Sequence, residues 1–168
     1  VRARVRELAS RCHVVKLSDE DAVWLGAGSG ESPEEVLRAI AGSGARFAVM
    51  TRGEFGCIAI VDGVRFERPA RAVELADTIG AGDAFMSGLL FGLVRGGGDR
   101  LLVDGAPLPP ALVVRALDSA GASAAIAVSR HGAQPPSLAE LDAATETDCG
   151  RGPSPALASG TSRRSSPS

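Results

Sequence analysis

A carboxylate placed directly after a pair of glycines has the clearest chemical use in this chain. In Asp77-Thr78-Ile79-Gly80-Ala81-Gly82-Asp83-Ala84-Phe85, Gly80 and Gly82 can adopt backbone angles that other residues avoid, so successive N–H groups can converge on one point. The spacing of Phe85, Leu89 and Leu93 predicts an amphipathic helix over residues 82–95. Its first-turn N–H groups would lack intrahelical acceptors and carry the positive end of the helix dipole, which suits a phosphate. Asp83 stands in that same turn, where a carboxylate beside a bound phosphate can accept a proton from a hydroxyl. The competing local reading is a glycine turn that merely starts a tightly packed helix, with Asp83 an ordinary first-turn acid, because short glycine motifs recur by chance.

A second phosphate candidate is Thr51-Arg52-Gly53-Glu54-Phe55-Gly56, delivered by the apolar run Phe47-Ala48-Val49-Met50. Open α/β sheets bind ligands at the carboxyl ends of their strands, and Gly53 and Gly56 would let backbone approach a nucleotide. The same residues could equally form the turn of a hairpin into Cys57-Ile58-Ala59-Ile60-Val61. Upstream, His13-Val14-Val15-Lys16-Leu17 reads as a buried parallel strand, after which Ser18-Asp19-Glu20-Asp21 has the form of a helix cap with acids in the first turn. His13 and His131 have no partners that would make a catalytic dyad, and Trp24 is read as core.

The remaining segments supply the scaffold for an α/β fold. Residues 1–11 read as a surface helix with Val5, Leu8 and Ala9 as its buried stripe. Ser32-Pro33-Glu34-Glu35 opens a helix to about Ala41, and Asp62-Gly63 signals a tight turn into Val64-Arg65-Phe66-Glu67-Arg68. Val73 and Leu75 alternate as a short strand would, and residues 101–108 read as an irregular insert. A long helix over residues 110–129 carries Ala116, Ala120, Ala124 and Ala127 at three- and four-residue spacing, and Ser137 starts a last short helix through Leu141. Gly88 and Gly92 lie on nearly the stripe of Leu89 and permit close approach of another element. From about residue 145 the composition turns to Ser, Pro, Gly, Ala and Arg, so residues 145–168 are expected to be a disordered tail after one domain over residues 1–144.

Composition narrows the classes. The chain has 168 residues, 45% of them hydrophobic, enough for one modest domain with a core. Its 18 Lys and Arg against 20 Asp and Glu leave a net charge of −2, which provides no global field toward nucleic acid or anionic lipid. The three cysteines, Cys12, Cys57 and Cys149, are far apart and lack zinc-type spacing, which fits a reducing cytoplasm. No apolar run reaches the ~20 residues of a membrane span, and no signal-peptide core follows the first residues. Because the chain opens without methionine, it is expected to be a piece of something longer.

The string from Asp77 to Phe85 fills every fixed position of Asp-Thr-x-Gly-Ala-Gly-Asp-x-Phe, and thereby resembles the ribokinase-like (PfkB) family of carbohydrate kinases. Other pieces resemble that family in order over roughly residues 1–142. The segment from Val15 to Asp21 occupies the place of its Asn-x-x-Glu element. Thr51 to Gly56 resembles its nucleotide-binding Thr-x-Gly-x-x-Gly loop, and Ala120 to Gly132 its adenine-bordering helix.

The resemblance implies a three-layer α/β/α fold with a mainly parallel sheet, incomplete here because the family's early Gly-Gly motif, most sugar-contacting residues and lid strands have no counterpart. It also implies transfer of the γ-phosphoryl group of ATP to a sugar hydroxyl. On that basis Asp83 is the catalytic base, Gly80, Ala81 and Gly82 form the anion hole, and Thr51, Gly53, Gly56 and Ser123 bind nucleotide. Ser18 and Asp21 stand where Asn and Glu are expected for ordering magnesium through water, a variant similar to fructokinase-type members. Asp77, Ile79, Ala127, Arg130 and Gly132 correspond to a monovalent-cation site, with potassium the candidate ion. The expected partners are ATP and a small sugar, with no nucleic acid or membrane, and a homodimer is considered for the full-length protein. Two alternatives stay open: a non-catalytic nucleotide-binding remnant, and a same-fold kinase for a nucleoside or vitamin precursor.

Overall fold

Alternation along the apolar runs sorts their side chains onto two faces, and a helical layer covers each face. In a computed structural model describing residues 1–146, the order is α1 (Arg2–Ala9), β1 (Val14–Ser18), α2 (Asp19–Gly26), α3 (Pro33–Gly42), β2 (Phe47–Thr51), a 3-10 turn (Gly53–Phe55), β3 (Cys57–Val61), β4 (Val64–Arg68), α4 (Ala81–Arg95), α5 (Gly98–Val103), α6 (Pro110–Val128) and α7 (Leu138–Glu146). Phe47, Val49, Cys57, Ala59 and Val61 face a core shared with Phe85, Leu89 and Leu93 of α4 and Val113, Ala116, Leu117 and Ala120 of α6. Their neighbours Ala48, Met50, Ile58 and Ile60 face the other core, shared with Ala22 and Leu25 of α2 and Val36, Leu37 and Ile40 of α3. The three-layer α/β/α expectation holds.

The expectation of a mainly parallel sheet is corrected. The strand order is β1-β2-β3-β4, and only β1–β2 is parallel among the three pairings of the described strands. The physical reason is loop length, because a parallel crossover needs about a dozen or more residues, whereas β3 and β4 are joined by Asp62-Gly63 alone. That pair turns through positive φ angles of 46° and 81°. The parallel pair sets Ser18 beside Thr51, so both candidate loops leave the same carboxyl edge of the sheet.

Local signals set most helix starts. Ser18 and Asp21 form a reciprocal capping box on α2, and Ser32 and Glu35 form another on α3, which also has proline in its first turn. The α4–α6 seam depends on small residues. A Cβ at Gly88 would lie 2.6 Å from the Ser119 carbonyl oxygen and from the Ser123 Cβ, and one at Gly92 would lie 2.8 Å from the Ala116 Cα. Only glycine permits that separation.

Several local expectations are corrected. Helix α1 buries none of its residues completely, and Val5 and Leu8 stay 38% and 58% exposed, because only its end at Ala9 reaches the core under α2 and α3. Trp24 is 43% exposed and lies under the Arg2 guanidinium rather than in the core. Val73 and Leu75 belong to no strand; both are exposed, and their segment crosses the surface to α4. The first half of the expected irregular insert is helical as α5, its Leu102 seated in the α4–α6 core. Helix α6 is long and apolar enough by length and composition to cross a membrane, contrary to the reading that no run is, yet 56% of its apolar 18-residue stretch is buried inside the protein, as in a core helix. Helix α7 extends to Glu146, past the boundary set at 144; beyond it the expected tail lies outside the described residues.

Candidate phosphate-binding site at the start of helix α4

Gly80 is the pivot. Its left-handed backbone (φ 78°, ψ 2°), a conformation costly for residues with a Cβ, caps α4 with no side chain. The Gly80 carbonyl accepts from the Ala84 N–H at 2.8 Å, and the Ala81 N–H donates to the Thr78 carbonyl at 3.2 Å. The N–H groups of Gly82 and Asp83 have no acceptor among the described residues. Two aligned donors are therefore free at the positive end of a 15-residue helix. Asp83 follows them with an exposed side chain that makes no hydrogen bond among the described residues, so it is open to an incoming hydroxyl.

Asp77 holds this turn in place. Its two carboxylate oxygens accept from the Ile79 N–H and from the Gly132 N–H, each at 3.0 Å, and these bonds, Ile79 first, hold its carboxyl below the usual range. The Ala76 and Asp77 N–H groups both donate to the Val128 carbonyl. Residues 77–80 are thus tied to the loop after α6, bringing Asp77, Ile79 and Gly132 together. Ala127 is buried, and the Arg130 side chain is ion-paired to Glu140 of α7.

At the sheet edge, Thr51 donates its hydroxyl to the Leu17 carbonyl at 3.4 Å, and the Arg52 N–H donates to the Gly56 carbonyl at 2.7 Å. The hairpin reading of residues 51–56 is realised. Gly53 (φ 52°) has open space around it, whereas Gly56 is required by packing, since a Cβ there would sit 2.1 Å from the Arg68 carbonyl oxygen. Ser18 and Asp21 are occupied by their capping box, and Asp21 accepts from the Ser18 N–H at 3.0 Å, the main cause of its lowered pKa.

One expectation is contradicted. Ser123 is fully buried at the α4–α6 seam against Gly88, its hydroxyl without a partner among the described residues, so none of its surface is open to a nucleotide. The assignment rested on the resemblance of residues 120–132 to an adenine-bordering helix, and a helix shows its inward and outward positions only once its neighbours are placed. One residue was missed. Lys16 shares a sheet face with Val14, toward α4, and its ammonium would lie 2.7 Å from a Cβ at Gly82. The available signal was a single cation in an otherwise apolar strand.

The curated relatives include a fructokinase of Rhizobium leguminosarum bv. trifolii, 34% identical over 92 residues, covering 54% of this chain and 27% of that protein. An aminoimidazole riboside kinase of Salmonella typhimurium is 34% identical over 131 residues, covering 78% of this chain and 37% of that one. Among solved structures, a double mutant of the Vibrio cholerae O395 fructokinase in a fructose-, ADP- and potassium-bound form aligns with a TM-score of 0.67 and 31% identity, covering 84% of this chain and 43% of that chain. The chain therefore matches less than half the length of each of these relatives. With residues 1–140 matching the pfkB family carbohydrate kinase description and the free donors, exposed Asp83 and glycine turn arranged as above, the chain belongs to the pfkB family of carbohydrate kinases.

Proposed function

We propose that the whole protein transfers the γ-phosphoryl group of ATP to a sugar hydroxyl, with fructose as the leading acceptor. The observation that carries this reading is the exposed Asp83 carboxylate, placed one residue after Gly82, whose N–H has no acceptor among the described residues. The acceptor oxygen attacks the γ-phosphorus, the bond to the β–γ bridging oxygen breaks, ADP leaves, and the hydroxyl proton passes to Asp83. The Gly82 and Asp83 amides offset the charge on the transferring group. Gly80 and Ala81 shape the turn, while Thr51, Gly53 and Gly56 edge the nucleotide. Similarity to fructokinases supports fructose. The 131-residue match to an aminoimidazole riboside kinase favours a riboside acceptor as the second reading.

Among the described residues no group of three or more His, Cys, Asp or Glu side chains is placed to hold a metal. Magnesium therefore enters the proposal only as the counter-ion of ATP. For a monovalent cation, the backbone around Asp77, Ile79 and Gly132 is the candidate place, and potassium is named in the Vibrio cholerae structure. Cytoplasmic residence belongs to this same proposal.

The test is Asp83→Asn in the whole protein, with ATP consumption followed against fructose and aminoimidazole riboside. Turnover is expected to fall by about 10²- to 10⁴-fold while ATP binding stays nearly unchanged. Wild-type turnover in the variant, or equal losses of binding and turnover, would overturn the assignment.

A further inference from the structure

We infer that Glu140 of α7 is a positioning residue for the transfer reaction, clasping shut the loop after α6 so that this loop holds the glycine turn from outside. The inference rests on the kinase reading above and adds to it a residue that no sequence motif contains.

One carboxylate closes both ends of that loop. Its Oε1 accepts from the Arg130 guanidinium just past α6, and its Oε2 accepts from the Ser137 N–H and hydroxyl, each at 2.8 Å, where α7 begins. Leu141, the next residue, is buried and α7 packs on α6, so the helix that carries Glu140 is itself held down. Between the two anchors the backbone is tied locally: the Gln134 N–H donates to the Gly132 carbonyl at 2.9 Å, and its side-chain amide donates to the His131 carbonyl at 3.1 Å.

The middle of the loop is what meets the site. The Gly132 N–H donates to Asp77 at 3.0 Å, and a Cβ at Gly80 would lie 3.3 Å from the Ala133 Cβ. Gly80 turns the chain into α4, so what supports it fixes where the Gly82 and Asp83 amides point. A loop tied at its base samples fewer arrangements than a free one, and those kept here set Gly132 and Ala133 against the turn. Released, the loop would support Asp77 and Gly80 less firmly, and the amides would be aimed at the transferring group for less of the time. The same helix carries its own contrast. Asp142 makes an ion pair with Arg95, the last residue of α4 and the opposite end from Gly82, so this pair docks α7 without touching the loop.

The test compares Glu140→Gln, Arg130→Met and Asp142→Asn in the whole protein. The readouts are steady-state kinetics with ATP against fructose and aminoimidazole riboside, amide hydrogen exchange at Gly132, and thermal melts. Glutamine still accepts from Ser137, so it keeps the helix cap while removing the charge. Glu140→Gln is expected to lower kcat about two- to fivefold, the scale of one partly exposed ion pair, with acceptor KM unchanged and Gly132 exchange faster. Arg130→Met should match it, and carries the test if Glu140→Gln folds poorly. Asp142→Asn should lower the melting temperature while leaving kcat and Gly132 exchange at wild-type values. Wild-type kcat in Glu140→Gln, or an equal loss of kcat in Asp142→Asn, would overturn the positioning role and leave the kinase reading in place. A wild type that turns over neither acceptor would overturn the kinase reading. Gly132 exchange in Glu140→Gln then decides the clasp alone, faster exchange keeping it and wild-type exchange ending it.

Discussion

Gly82 and Gly88 lie on one helix, and an added Cβ at either would meet another atom at nearly the same distance, 2.7 and 2.6 Å. The meaning of those contacts is opposite. At Gly88 the obstacles are the Ser119 carbonyl and the Ser123 Cβ, fixed in the neighbouring helix; at Gly82 the obstacle is the tip of a lysine side chain. One glycine lets two helices pack, and the other leaves room for a charge. A close contact at a glycine therefore constrains the packing of the fold only where the neighbour cannot move.

That contrast can be broken by measurement. The largest effect on stability is expected from Gly88→Ala, which forces α4 away from α6 and should cost about 3 kcal/mol, read from urea unfolding. A loss under about 0.5 kcal/mol would show that the seam relaxes freely. Gly82→Ala is expected to change stability by no more than about 0.5 kcal/mol, because the lysine tip can swing aside and alanine is the better helix former. Equal costs for the two substitutions would end the distinction.

The smallest effect concerns the outer brace of the site. Glu140 accepts from the Ser137 N–H and pairs with Arg130, just before the 131–133 loop; the Ser137 backbone bond, then Arg130, lowers its pKa from 4.5 to about 2. A depressed carboxylate pKa stabilises the fold above the unfolded value, and that stability is lost as pH falls through the folded value. The gap in melting temperature between wild type and Glu140→Gln should be full at pH 7 and shrink as pH falls from 4.5 toward 2. A gap unchanged across that window would mean that Glu140 braces nothing by charge.

Legibility followed the range of the interaction. The caps at Ser18 and Ser32, the Asp62-Gly63 turn and the left-handed need at Gly80 are settled within a few residues of chain, and all could be read there. The Gly88 and Gly92 stripe was legible as a close approach, though not which helix would approach. Val5 and Leu8 were assigned inward by their helical spacing, and Trp24 by its apolar character. Their exposure reflects where the second core ends, a property of packed layers rather than of any one segment.

By itself the sequence determined the glycine turn, the helix it opens, the carboxylate beside it and the family, because these depend on backbone freedom and on neighbours close along the chain. Only the tertiary structure decided that the sheet is mixed, that Ser123 is sealed in a seam, and that Lys16 stands over Gly82. Those three depend on which strands pair and which faces meet, and contacts between residues far apart in sequence exist only once the chain has closed around its core.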